Sequence, residues 1–264
     1  MHIKNTLDFK SLFPISSIAT CLLFTSSCNQ LTRYGMGSSK SVQAPDKGQR
    51  KINSSPTIDS DGRTQLHIAV FKGCIEVVKT LLADKSVDVN QKDKNGFVPL
   101  HIASAISHIE VVKLLLGHKK ILVNEKDKDG RTALYIAAQK GDLELVKTLL
   151  DAQYILVNQK DKDGLTPLHI AVEKGYVEIV KLLLEHKRIL VNEKNKYGCT
   201  PIHIGSAIGH IEVVKVLLED QRILVNEKDK DGLTPLDSVS YKDHKIVVSL
   251  LRAAGAVSGF NKAK

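Results

Sequence analysis

Three kinds of residue in this sequence could do chemistry. Carboxylates stand in pairs in the tetrapeptide Asp-Lys-Asp-Gly, at Asp127–Gly130, Asp161–Gly164 and Asp229–Gly232. Paired carboxylates can divide acid and base work between them. Histidines recur at His67, His101, His169 and His203, and imidazole is both a general base and a common metal ligand. Four cysteines, Cys21, Cys28, Cys74 and Cys199, could pair, bind metal or carry a modification.

Their spacing points to shape instead. Gly62, Gly96, Gly130, Gly164, Gly198 and Gly232 are each 34 residues apart. Around them the frame Thr-Pro-Leu-His returns as Thr64–His67, Val98–His101, Thr132–Tyr135, Thr166–His169, Thr200–His203 and Thr234–Asp237. A fixed period of this length marks a repeat array. Adjacent helix pairs in such a stack lie roughly 10 Å apart, too far for two histidines to share an ion at ~2 Å. Cys74 and Cys199 lie more than three units apart, roughly 35 Å at that spacing, and no disulfide bridges Cα atoms beyond about 7 Å. The histidines are expected to hydrogen-bond backbone and lock the stack. The carboxylates are expected in solvent-exposed turns, compensated by Lys94, Lys128, Lys162, Lys196 and Lys230.

The elements that carry these residues are helices. Thr is a good N-cap, and Pro after it suits the first helical position. In unit four, Leu168, Ile170, Ala171 and Val172 form a short apolar helix, Gly175 breaks it, and a second helix follows with Val177, Ile179, Val180, Leu182, Leu183 and Leu184 apolar and Glu178, Lys181 and Glu185 polar. Two such helices have too little core to stand alone; stacked on neighbours they bury both apolar faces.

The signature Asp-x-x-Gly-x-Thr-Pro-Leu-His-x-Ala, followed by Gly-x-x-Glu-Val-Val-x-Leu-Leu-Leu and Val-Asn, resembles the ankyrin repeat. The resemblance covers residues 57–260 as six units, 57–90, 91–124, 125–158, 159–192, 193–226 and 227–260. It implies an all-α solenoid of antiparallel helix pairs with projecting hairpin-like loops. The period is one residue longer than the common 33. The extra residue falls after the second helix, as in Glu185–Asn192, so that helix is expected to run longer. Gln65 in unit one, and Asp237 and Asp243 in unit six, depart from the frame and are expected to mark end caps.

The resemblance also implies a binding groove formed by loop tips and first helices, and a protein partner in it. Its positions here are Arg63, Phe97, Arg131 and Leu165 after the loop glycines, and Phe71, Lys72, Ile106, Gln139, Lys140, Glu173, Lys174, Ile208 and Tyr241 before the inter-helix turns. Phe71, Phe97, Ile106, Ile208 and Tyr241 are the expected anchors, since large apolar groups dominate interface energy. No cofactor, metal or catalytic residue is expected, and the array is expected to be a monomer.

The first 56 residues differ in kind. Lys4 and Lys10 precede a mostly apolar run, residues 11–24, that Pro14 interrupts and that is too short to span a bilayer as a helix. The order is that of an export signal. Leu22–Cys28, Leu-Leu-Phe-Thr-Ser-Ser-Cys, resembles a bacterial lipoprotein signal, with Cys28 as the lipidated residue; Thr25 departs from the aliphatic residue usual there. The expected organisation is a signal at 1–27, a basic linker at 28–56, the array, and a tail at 261–264. Location is then the periplasmic side of a bacterial envelope, with the membrane as a second partner through Cys28. The alternative is a soluble array that acts in a cytosol or is delivered to a host.

The net charge of +9 does not imply nucleic acid. Residues 1–56 hold 7 Lys and Arg against 2 Asp and Glu, and the remainder 31 against 27. The row Lys92, Lys126, Lys160, Lys194 and Lys228 could meet a polyanion, but acids are interleaved with it and no aromatic platform accompanies it.

Overall fold

In the computed structural model, residues 58–239 and 244–259 are described. They lie within one compact unit, Pro56–Lys264. The expected signal, linker and tail, with Cys28 and Tyr241, lie outside the described residues.

Units one to five each open with an extended Thr or Val at the N-cap of the first helix. The Thr166 hydroxyl accepts the His169 N–H at 3.3 Å, and Thr132 does the same for Tyr135. Pro at the first helical position in units two, four and five removes an N–H that would have no partner. Among the described residues eleven helices follow in order: α1 Gln65–Phe71, α2 Ile75–Ala83, α3 Pro99–Ala105, α4 Ile109–Leu116, α5 Ala133–Lys140, α6 Leu143–Leu150, α7 Pro167–Lys174, α8 Val177–Glu185, α9 Pro201–Ile208, α10 Ile211–Glu219 and α11 Lys245–Ala253. Odd-numbered helices α1 to α9 stack as an inner layer, and α2, α4, α6, α8, α10 and α11 as an outer layer. Inner helices meet one another more extensively than outer ones. None of the described helices is long and apolar enough to cross a membrane.

The core is aliphatic and spread evenly along the stack. Leu134, Leu168 and Ile202 on the inner helices, and Leu149, Leu183 and Leu217 on the outer ones, are fully buried. Truncating any of them to alanine costs about 2–5 kcal/mol in a core of this kind.

Helix two is not lengthened by the extra residue. α8 ends at Glu185, and His186–Arg188 form a turn. In the stretch after that turn Ile189 and Val191 are buried while Leu190 between them is 53% exposed. The same alternation holds at Ile155-Leu156-Val157.

The inter-helix turn carries a contact between units. Gly141 has φ +82, and a Cβ there would stand 2.6 Å from Cζ of Tyr176 in the next unit. Gly73, Gly175 and Gly209 face His108, His210 and His244 in the same way. In unit two the turn residue is Ser107, with φ +58, and the residue one period after His108 is Asp142, with no ring.

The expected end caps have a structural counterpart. Gln65 is exposed where Pro99, Pro167 and Pro201 are buried. In unit six, Asp237 Oδ2 accepts the Thr234 N–H at 3.0 Å and the Gly259 N–H at 2.6 Å, so a carboxylate takes over the histidine's capping role and ties down the chain end. α11 leaves Lys245, Ser249 and Arg252 exposed.

Candidate protein-binding groove

The residues with the most chemical potential are occupied in joining units. In unit four the Thr166 N–H donates to His169 Nδ1 at 3.2 Å. His169 Nε2 therefore carries the proton and donates to the Cys199 carbonyl at 3.2 Å. His67, His101 and His203 repeat this, reaching the carbonyls of Phe97, Arg131 and Leu233. All four histidines are buried. Burial lowers their pKa values, that of His169 to about 4, so they are neutral. Tyr135 replaces histidine in unit three, and its hydroxyl donates to Asp161 Oδ2 at 2.9 Å; burial and that carboxylate push its pKa up. Among the described residues no three His, Cys, Asp or Glu side chains converge as metal ligands.

The paired carboxylates are not simply solvated, as the sequence led us to expect. Asp127 is buried, at 7% exposure, as is Asp93, which stands in unit two's loop without a second carboxylate. The first Asp of each tetrapeptide closes the loop: Asp161 Oδ1 accepts the N–H groups of Asp163 at 2.9 Å and Leu165 at 2.8 Å. The loops then join one another. The Lys162 N–H donates to the Asp129 carbonyl at 2.8 Å, and its ammonium meets the Asp129 carboxylate at 2.6 Å. Gly130 permits this approach, because a Cβ there would lie 3.0 Å from the Lys162 nitrogen.

The second lysine row is a clamp. Lys92, Lys126, Lys160 and Lys194 each donate to the carbonyl of the lysine 34 residues on, at 2.7–3.1 Å. Lys92 also meets Glu125 at 2.7 Å and Lys194 meets Glu227 at 2.6 Å.

A third row was not legible as a contact. Asn90, Asn124, Asn158, Asn192 and Asn226 each reach the next unit twice. Asn158 Nδ2 donates to the Arg188 carbonyl at 2.7 Å, and its Oδ1 accepts the Leu190 N–H at 2.9 Å. The other four make the same pair of bonds.

Against this frame the expected groove residues show their individual states. The histidine bonds to Phe97, Arg131, Cys199 and Leu233 carbonyls pin the backbone of the loop column and leave its side chains independent. Arg63 lies 3.5 Å from Asp61 and 3.7 Å from Asp93. Arg131 is held by Asp127 at 2.8 Å, with its guanidinium 5.9 Å from the Phe97 ring centre. Phe97 is 7% exposed and edge-on to His101. It serves as stacking between units, and its ring is not offered whole to a partner. Leu165 and Cys199 are half-buried. Burial and Asp229 push the Cys199 thiol up to about 11, which leaves it unreactive.

On the inner helix ends, Phe71 and Ile106 are half-buried, Lys72 and Lys140 exposed, and Ile208 is 39% exposed. Lys140 Nζ donates to the Ala105 carbonyl at 2.7 Å. Glu173 and Lys174 pair at 3.1 Å. Gln139 Oε1 is buried with no hydrogen-bond partner among the described residues. The inner face thus brings together cations, two isoleucines and one unmatched acceptor.

A family profile described as ankyrin repeats in three copies matches residues 66–160, 100–195 and 152–229. A second, described as ankyrin repeats in many copies, matches 209–252. The chain belongs to the ankyrin-repeat family, whose members are in general non-catalytic scaffolds for protein–protein interaction. Among solved structures it is similar to the ankyrin repeat domain of Bcl-3, described as a unique member of the IkappaB protein family, at 28% identity and a TM-score of 0.69, over 75% of this chain and 89% of that one. It is also similar to EF0377, an ankyrin repeat protein, at 26% identity and a TM-score of 0.66, over 71% and 96%. No curated protein sequence matches the chain.

Proposed function

We propose that this protein is a non-catalytic adaptor, displayed on a bacterial envelope membrane by a lipid on Cys28, that grips a protein partner with its inner face. One observation carries the binding role. The histidines and the Lys92 row that could do chemistry are spent on joining units and the loop aspartates on closing their loops, while the inner-face positions change from unit to unit within the same frame. A surface released from architectural duty suits recognition. Ile106 and Ile208 supply apolar anchors, and Lys72 and Lys140 a cationic rim.

The anchor rests on the order of Leu22–Cys28, small residues leading to a cysteine after a short apolar run. Residues 28–56 would then be a leash of roughly 30 Å by random-coil reach. Fatty-acid labelling of the full chain in a bacterial host, beside Cys28→Ala, tests it. Label that vanishes in the variant supports the anchor. No label on either chain rejects it in favour of a soluble array. Capture from envelope extracts that is lost in Ile208→Asp supports the groove; capture unchanged in that variant rejects Ile208 as an anchor.

A further inference from the structure

The alternation after each second helix leaves one leucine of every middle unit outside. Leu122, Leu156, Leu190 and Leu224 are 53%, 45%, 53% and 51% exposed, one per unit. Packing does not require them. In unit one the corresponding residue is Asp88, which is exposed and accepts the Asn90 N–H. In units two to five the leucine's N–H is held by the asparagine of the unit before, whatever the side chain is. Four large aliphatic groups repeated in water, at a site that accepts a carboxylate, need a reason outside the single chain.

Charge beside the leucines says what covers them. The six residues ending at each leucine carry two cations in 117–122, one anion in 151–156, two cations and one anion in 185–190, and two anions and one cation in 219–224. The sign of the net charge therefore alternates along the row. An anionic surface would meet repulsion at every second unit. A second copy, turned antiparallel about a two-fold axis between units three and four, sets unit two against unit five and unit three against unit four. Both pairings join opposite signs. An axis through unit three or unit four pairs like with like, as does a parallel arrangement.

We propose that two copies of this chain associate through this leucine row, about a two-fold axis between units three and four. This replaces the single-copy array expected from the sequence. Leu156 meets Leu190 of the second copy, and Leu122 meets its Leu224. A C2 interface must be self-complementary in this sense. Two further features fit. Tyr154, 74% exposed beside Leu156, is brought near Lys187 and Arg188 of the second copy, a pairing of aromatic face and cation. An open hollow of about 370 Å³ lies beside Leu190, lined also by Ile189, Val191 and Arg222, and can receive Leu156 of the second copy. The proposal does not depend on lipidation or on the inner groove.

Site-directed crosslinking of the full chain tests it. Leu156→Cys and Leu190→Cys chains, both also carrying Cys21→Ser and Cys28→Ser, are oxidised singly and mixed. A crosslinked dimer in the mixture, and none above background in either chain alone, is the expected result. A dimer from Leu156→Cys alone, or none in any sample, overturns the proposal. So does a chain that stays monomeric and sediments with anionic phosphatidylglycerol vesicles through the same leucines. Charge reversal gives a second readout. Lys119→Glu with Lys120→Glu should weaken association about tenfold, and adding Glu219→Lys with Asp220→Lys should restore it. Failure of the second pair to restore association overturns the register.

Discussion

Two columns run along the same units under opposite rules. Asn90, Asn124, Asn158, Asn192 and Asn226 never vary and make the same two bonds each time. On the inner face, at the same spacing, stand Phe71, Ala105, Gln139, Glu173 and Ala207. The difference lies in what each column touches. The asparagines bind backbone of the next unit, and backbone looks alike everywhere. The inner residues run from buried Ala105 to half-buried Phe71, Gln139, Glu173 and Ala207, and no bond repeated from unit to unit demands sameness there. Invariance along an array reports internal contact, and variation reports freedom for a partner.

Acid should break the frame that joins the units first and hardest. The buried histidines have folded pKa values below the unfolded value near 6.5. The unfolded chain therefore binds protons that the folded chain refuses. Stability is full above about pH 6.5 and falls as pH drops toward the folded values, about 4 for His169. His169 alone removes about 1.4 kcal/mol per pH unit in that window, about 3 kcal/mol in all, and His67, His101 and His203 add loss in the same direction. Urea midpoints measured from pH 7.5 to 4.5 check this; a flat profile between 6.5 and 5 would show that the histidines protonate without leaving their partners.

The inter-helix glycines come next. Gly141→Val meets both a positive φ and the Tyr176 ring, and should cost about 3 kcal/mol. Gly141→Ser combined with Tyr176→Asp copies the natural Ser107 and Asp142 pairing and should be clearly more stable than Gly141→Ser alone. Equal thermal midpoints for the single and the double variant would remove ring contact from the explanation.

The asparagine seam is smaller per residue. Asn158→Ala loses two hydrogen bonds to the next unit, about 2 kcal/mol at about 1 kcal/mol each. Hydrogen exchange should show the Leu190 amide opening faster while amides in unit one stay protected.

The variable side should be almost silent in stability. Lys72→Ala and Ile208→Ala should shift it by less than about 0.5 kcal/mol, while Ile208→Ala weakens partner capture. A large loss of stability from either change would move that residue from the binding column to the frame.

Much of the frame was legible. The period, the Thr caps, the glycine breaks and the role of the histidines follow from residue type and spacing. What stayed hidden has one cause. A strictly periodic sequence gives each residue a class but not whether its partner sits in its own unit or one period on. Lys160 looked like a loop-tip cation because its true acceptor, the Lys194 carbonyl, is backbone and leaves no mark on composition. Phe97 looked like an anchor because nothing in the sequence set Arg131 and His101 against its ring. The exposure of Leu156 depends on how a 34th residue is absorbed, and a turn absorbed it where a longer helix was expected. One hidden contact did leave a mark. Gly with a ring one unit on, and Ser with Asp, vary together at Gly73 and His108, Ser107 and Asp142, Gly141 and Tyr176.

The asparagine bonds also set how the array would behave under load. Each ties one unit only to the next, so tension applied at one end is borne by one latch at a time. Once a latch gives way, 34 residues can pay out, about 115 Å of extended chain at roughly 3.4 Å per residue, while the next latch is still shut. Pulled from one end, the array would lengthen in steps of one unit and keep its far end folded.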